Sequence, residues 1–208
     1  MFESRKYRLR GTSPILGTQP ASEAVRTSYI ASRAPSRAAA DEEKRLYPLR
    51  DDDYALTVFA RDFDHGDRLV VLDYMLRGFF KSALGALVSQ LNVRYPKSKV
   101  DKYLFVCPRC VPVLRNGHPI YEEDSQYERP LRVDSAYGPC TVVQGSECID
   151  CPWELEIELR LIPNPASSKS KPLSWAAVEE ALNYGALCGL GKFRNGGFGT
   201  FVWERIES

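Results

Sequence analysis

Three groups of residues in this 208-residue chain could carry chemistry: a cluster of glycines and cations near the C-terminus, two pairs of cysteines, and two histidines. The stretch Gly189-Leu190-Gly191-Lys192-Phe193-Arg194-Asn195-Gly196-Gly197-Phe198-Gly199 places five glycines within eleven residues, with Lys192 and Arg194 among them. Glycines let a backbone approach another chain closely and turn N–H groups outward, and the two cations add charge, so the stretch suits a polyanion. Two phosphate loops are excluded by residue type and order. The dinucleotide fingerprint needs a strand before its glycines and a helix after them, whereas here a helical pattern precedes and a β-like one follows. The Walker A loop needs a glycine five residues before Gly191-Lys192 and a hydroxyl residue after it, and those positions hold Ala186 and Phe193.

Cys107-x-x-Cys110 and Cys148-x-x-Cys151 each have the spacing of half a tetrahedral zinc site. They bracket residues 107–152, which read as irregular and short of apolar residues, so the expectation is a structural zinc holding that insertion against the core. Cys140 could replace one ligand, isolated thiols are the alternative, and Cys188 is expected in the core. Neither pair opens a helix, as a redox pair would. His65 and His118 could each serve as a general base, but both read as residues of exposed turns, and no catalytic residue is assigned. Asp62, Asp64 and Asp67 do not complete a calcium loop, because the flanks are β-like and the glycine is displaced.

The remaining composition is that of a globular protein, with 44% hydrophobic and 26% charged residues and a net charge of +1. Residues 1–50 nevertheless carry ten Lys or Arg against five Asp or Glu, so local patches matter more than the total. No apolar run approaches a membrane span, and Arg5, Lys6, Arg8 and Arg10 are not followed by a signal-like apolar core. Cytoplasmic location with reduced thiols is expected, with no membrane partner.

The elements that must position these groups follow from periodicity. Residues 5–10 alternate as a first strand, and residues 17–54 form an insertion after it, with two short helices or a mobile stretch at 21–46. Ala55–Arg61 and Arg68–Leu72 read as a hairpin. Leu76–Leu91 repeats apolar residues at helical spacing, Tyr103–Val106 is a short strand, and Glu154–Leu161 alternates with one open face. Ser174 caps a second helix carrying Trp175, Val178, Ala181, Leu182 and Gly185. The glutamates of residues 154–158 argue against RNA lying across the sheet. Without its insertions the chain reads βαββαβ, an α+β, ferredoxin-like (RRM-like) single domain with a helical insertion and a zinc-binding insertion.

In that order the two Gly-x-Gly pairs, Gly189/Gly191 and Gly197/Gly199, fall between last helix and last strand. The arrangement resembles the glycine-rich loop of the RAMP superfamily of CRISPR-associated RNA-binding proteins. Leu76-Arg77-Gly78-Phe79-Phe80-Lys81-Ser82-Ala83-Leu84 is similar to that superfamily's helix start, and Arg8–Leu16 to the opening strand and loop of its backbone subunits. A cysteine pair followed by the strand-like Arg129–Asp134 is similar to type III backbone subunits. The resemblance covers the core and not the insertions. It implies a non-catalytic subunit that holds guide or other single-stranded RNA by its backbone within a ribonucleoprotein, beside other subunits that include copies of itself. Arg77, Lys81, Gly189, Gly191, Lys192, Arg194, Gly197 and Gly199 are the implied RNA contacts. A repeat-processing endoribonuclease of the same fold, and an adaptor or inhibitor mimicking such a subunit, are the alternatives.

Overall fold

Alternation along the first strand is enough to start a two-faced sheet, and the computed structural model, which describes residues 2–21, 56–135, 138–163 and 171–206, is built on it. In chain order the strands are β1 (Glu3–Gly11), β2 (Ile15–Leu16), β3 (Gln19–Pro20), β4 (Leu56–Val58), β5 (Ala60–Asp62), β6 (Arg68–Leu72), β7 (Leu104–Cys107), β8 (Cys110–Arg115), β9 (His118–Pro119), β10 (Ser125–Ser135), β11 (Gly138–Ile149), β12 (Glu154–Leu161) and β13 (Phe201–Ile206). The helices are α1 (Asp73–Ala86), α2 (Val88–Leu91), α3 (Pro96–Tyr103) and α4 (Trp175–Asn183). The fold is mixed α+β and mostly sheet. No helix among the described residues is long and apolar enough to cross a membrane.

The larger sheet runs β13-β1-β12-β8-β6-β5, with β7 also paired to β12 and β9 to β8. Tyr7 and Leu9 of β1 and Leu155, Ile157 and Leu159 of β12 share one core with Leu76, Phe80 and Leu84 of α1 and Val178 and Leu182 of α4. The apolar alternation thus turns one sheet face toward both helices. The opposite face is a lattice of charge: Arg8 lies opposite Glu156 on one side and Glu204 on the other, and it bonds both, at 2.6 and 3.1 Å. Arg10 likewise joins Glu154 and Glu204. The glutamates are compensated by the neighbouring strands, so the open face carries little net charge.

Helix α1 begins at Asp73, three residues before the apolar repeat, and breaks at Leu87 (φ −92°, ψ 7°) before the short α2. Leu87 and Leu91 are only half-buried, which removes the pull that would continue one helix. α3 is opened by Pro96 at its first turn and offers one buried side chain, Val100, too few for a helical period to show in the sequence.

Residues 107–152 are not irregular. They form β8, β9 and the long hairpin of β10 and β11, paired from Ser125↔Cys148 to Ser135↔Gly138. The hairpin starts exposed on both sides at Ser125 and Gln126, and so lacks the apolar alternation by which strands are recognised. It belongs to a second sheet, β10-β11-β4-β3, with β2 on β11. The expected hairpin before α1 is split between the two sheets. β5 and β6 pair as antiparallel strands (Ala60↔Val70), while β4 pairs parallel to β11 (Leu56↔Gly145). The helical insertion of residues 17–54 is described only to Ala21, and the rest lies outside the described residues.

Phe59 is the residue at which the chain changes sheet, and its N–H would be orphaned there. The fully buried Glu147 of β11 accepts it at 2.8 Å through Oε2, while Oε1 meets Arg61 Nη2 at 3.5 Å. Arg61 also donates to Glu123 and to the carbonyl of Tyr121, so the buried carboxylate sits in a satisfied network. Replacing Glu147 by Ala leaves the Phe59 N–H unpaired and is expected to cost about 3 kcal/mol in denaturant unfolding, with Glu147→Gln costing less. An unchanged midpoint for Glu147→Ala would show that this joint contributes nothing.

Candidate functional site

The glycine loop is held by contacts of its own backbone. A Cβ on Gly189 would lie 2.1 Å from the carbonyl carbon of Gly199, and one on Gly199 (φ +71°) would lie 1.9 Å from the oxygen of Leu190. Leu190 N–H donates to Gly199 O at 2.7 Å, and Gly199 N–H to Pro14 O at 2.7 Å, so the two arms are zipped together and fastened to the loop after β1. Gly191 (φ +79°) comes within 2.9 Å of Leu16 O by the same measure. Only Gly197 (φ +82°) faces open space. The close approach expected of these glycines is therefore made within the chain, and what the loop presents outward is the segment from Phe193 to Phe198.

That segment is dressed by the β10–β11 hairpin. Phe193, itself at φ +54°, stacks on Tyr127 with ring centroids 6.3 Å apart, and Phe198 meets Tyr127 at 4.6 Å. The Arg129 guanidinium lies 3.9 Å from the centre of the Phe193 ring, a cation–π contact. Lys192 reaches inward, with Nζ 3.4 Å from Thr57 Oγ1 of β4. Burial first, and then the nearby Arg129 charge, push the Lys192 amine down to about 8. Arg194 lies on a groove of about 230 Å³ between the loop, the β2–β3 link and the first turns of α1, with Gln19, Tyr74, Met75, Gly78 and Phe79. Among the described residues its guanidinium has no hydrogen-bond or salt-bridge partner.

The groove brings Gly191 and Arg194 together with Gly78 of the helix start, but not Arg77 or Lys81. Those two turn toward α3, where Lys81 Nζ meets Asp101 Oδ1 at 2.6 Å and Arg77 bonds the same residue at 3.2 and 3.4 Å. Tyr127, Arg129, Gln19 and Tyr74 were not singled out by sequence. The strands of Gln19, Tyr127 and Arg129 lack a clean apolar period, Tyr74 stands in the first turn of α1, and only the fold brings them to the loop.

The four cysteines do not converge, and among the described residues no group of three or more His, Cys, Asp or Glu could hold a metal ion. Cys107 and Cys110 sit where β7 passes into β8. The Cys148–Cys151 segment lies beside the far end of β8, where Arg115 donates to the carbonyls of Asp150 and Pro152. Five residue steps along β8 separate the two places by roughly 16 Å, whereas a zinc ion holds each sulfur at about 2.3 Å. Burial, and then the Asp150 charge, raise the Cys151 thiol, and burial chiefly raises Cys148. The residues present thus do not fit one four-cysteine zinc site. The Cys140 side chain lies outside the described set, and Cys188 is half-buried in a turn rather than in the core.

His118 is exposed on β9. His65 is exposed at the β5–β6 tip, with Nδ1 2.9 Å from Asp62 Oδ2. Burial would raise the Asp62 carboxyl, but hydrogen bonds from His65 and Arg68 outweigh it and hold the group low, which marks an anchored turn. Because Gly199 is both crowded and left-handed, Gly199→Ala is expected to destabilise by about 2–4 kcal/mol, against about 1 kcal/mol for Gly197→Ala, which is only left-handed. Equal losses in thermal unfolding would refute the zipped-loop account.

No protein-family model matches the chain, and no curated protein matches it. Among solved structures it is similar to a chain in a cryo-electron microscopy structure of the type III-B Cmr-beta complex bound to cognate target RNA. The TM-score is 0.43 at 5% identity, and the alignment covers 99% of this chain and 59% of that one.

Proposed function

We propose that this chain is an RNA-binding subunit of a CRISPR-like ribonucleoprotein, one that grips the backbone of single-stranded RNA through the glycine loop. With β1, β7, β12 and β13 taken as the four core strands, their antiparallel order β13-β1-β12-β7 and the two helices on one face suit a ferredoxin-like core of RAMP type. The observation that carries the functional reading is Arg194. An arginine without a protein partner among the described residues lines a groove with Gly78 and Gly191, on a loop that also carries Lys192 and whose geometry is set by main-chain bonds. Cations and aromatic rings side by side form the usual surface for a single strand. The ion pairs that Arg77 and Lys81 make with Asp101 are part-exposed and worth about 0.2–1 kcal/mol each, so phosphates can compete for these two cations.

The test is fluorescence anisotropy with a labelled single-stranded RNA across a salt series. Each phosphate contact contributes a slope of about −0.7 in log K against log salt, so Lys192→Ala with Arg194→Ala should flatten the slope by about 1.4. Salt-insensitive binding, or no binding, would overturn the reading in favour of an adaptor. Lys192 adds a pH signature. Its folded pKa of about 8 lies below the ordinary 10.5, so the charge available to phosphate is present below about pH 8 and lost as pH rises through it. Affinity should fall over that window, and both Lys192→Arg, which stays charged, and Lys192→Ala, which never is, should remove the fall. The same sign makes the free protein gain stability between about pH 8 and 10.5, where only the unfolded chain still holds the proton.

A further inference from the structure

A second positive surface lies away from the glycine loop, along α3. Residues 94–102 carry four cations against one acid, Asp101, and that carboxylate is already shared by two cations of α1, Arg77 and Lys81. Lys99 is tied to the carbonyl of Lys171. Lys97 and Lys102 are exposed, and among the described residues neither has a hydrogen-bond or ion-pair partner. The hold on Arg77 is loose as well: its bonds to Asp101 are long, at 3.2 and 3.4 Å, and its Nε is buried with no partner. Like charges gathered on one ridge repel one another, and a polyanion laid along them relieves that repulsion.

Tyr95, the residue before α3, is 80% exposed, more than any other large hydrophobic side chain among the described residues. Its backbone stands in the left-handed region at φ +55°, a conformation rare for an aromatic residue and free of strain only for glycine. A ring held at such a position with so little packing against it points to a ligand. The ridge meets the groove through α1, since Gly78 lines the groove with Arg194 and its neighbour Arg77 turns to α3. From Asp101 it runs back along α3, whose eight residues cover about 12 Å at about 1.5 Å each. We infer that the strand held by the glycine loop continues over the first half of α1 and along α3, its phosphates taken by Arg77, Lys81, Lys102 and Lys97 and one base stacked on Tyr95. Cations interleaved with an open aromatic ring favour a single-stranded nucleic acid over an acidic protein, which would use the charges but not the ring. The inference rests on the RNA-binding reading and adds to it a second stretch of track.

The test measures the anisotropy of two labelled oligouridines, of about 5 and about 15 nucleotides, across a salt series, lengths that span the site sizes of one small domain. The longer strand should bind more tightly and with the steeper slope, each added phosphate contact contributing about −0.7. Lys97→Ala with Lys102→Ala should flatten the longer strand's slope by about 1.4 and leave that of the shorter strand, held at the loop, unchanged. Tyr95→Gly should weaken the longer strand about tenfold at every salt concentration without altering the slope, the signature of stacking rather than charge, whereas Tyr95→Phe keeps the ring and the affinity. Glycine suits the left-handed position, so an undiminished melting temperature shows the Tyr95→Gly fold intact. An unchanged slope in the double lysine variant overturns the second track and leaves the grip of the loop standing, with the ridge a face for an acidic protein. Equal slopes for the two strands in the parent overturn it too, as does an unchanged affinity in Tyr95→Gly. A parent that binds neither strand removes the RNA-binding reading as well.

Discussion

The structure turns on one contact between two glycines. Gly189 and Gly199 bring the backbones of the last loop so close that neither position has room for a methyl group. From that contact the hydrogen bonds spread outward: Leu190 to Gly199, Gly199 to Pro14 and Thr12 to Thr200. They bind the exit of β1, the entrance of β13 and the end of the α4 region into one unit. Gly191 then presses on Leu16, whose strand β2 pairs with β11, so the same loop also reaches the second sheet. Lys192–Phe198 is consequently positioned by main-chain geometry rather than by side chains that could rotate away.

Charge is distributed to match. On the open face of the larger sheet, Arg8 and Arg10 are neutralised by Glu154, Glu156 and Glu204. Such exposed pairs add little stability, but they cancel the local field. Around the glycine loop the balance differs, since Arg129 lies close enough to Lys192 to lower its amine and directs its own charge to an aromatic face and to Gln144, while Arg194 lines the neighbouring groove. A chain of almost zero net charge can therefore hold a one-sided positive site.

How much of this was readable in the sequence depended on whether a residue's role was local. β1, β12 and α4 could be read because burial on one face imposes a period, and the Ser174 cap because it acts within its own turn, accepting from Ala177 N–H. The glycine loop could be read as a loop, but its purpose could not: crowding at Gly189 comes from Gly199 and at Gly191 from Leu16, partners that only folding brings near. The β10–β11 hairpin was hidden by its exposure, and with it Tyr127 and Arg129. The cysteine pairs are the opposite case. Their spacing is a local signal, but the length of β8 between them is a property of the sheet.

The β3–β4 pairing has one more consequence. Gln19 lies opposite Val58 and Pro20 opposite Thr57, so the chain leaves the second sheet after Pro20 and re-enters it at Leu56 through adjacent strands. The ends of the intervening stretch are thus pinned about 4.8 Å apart, whatever its length. Loop closure grows only as the logarithm of length, about 0.6 kcal/mol per doubling, so this is a port through which the chain can be lengthened, shortened or exchanged at little cost to the core.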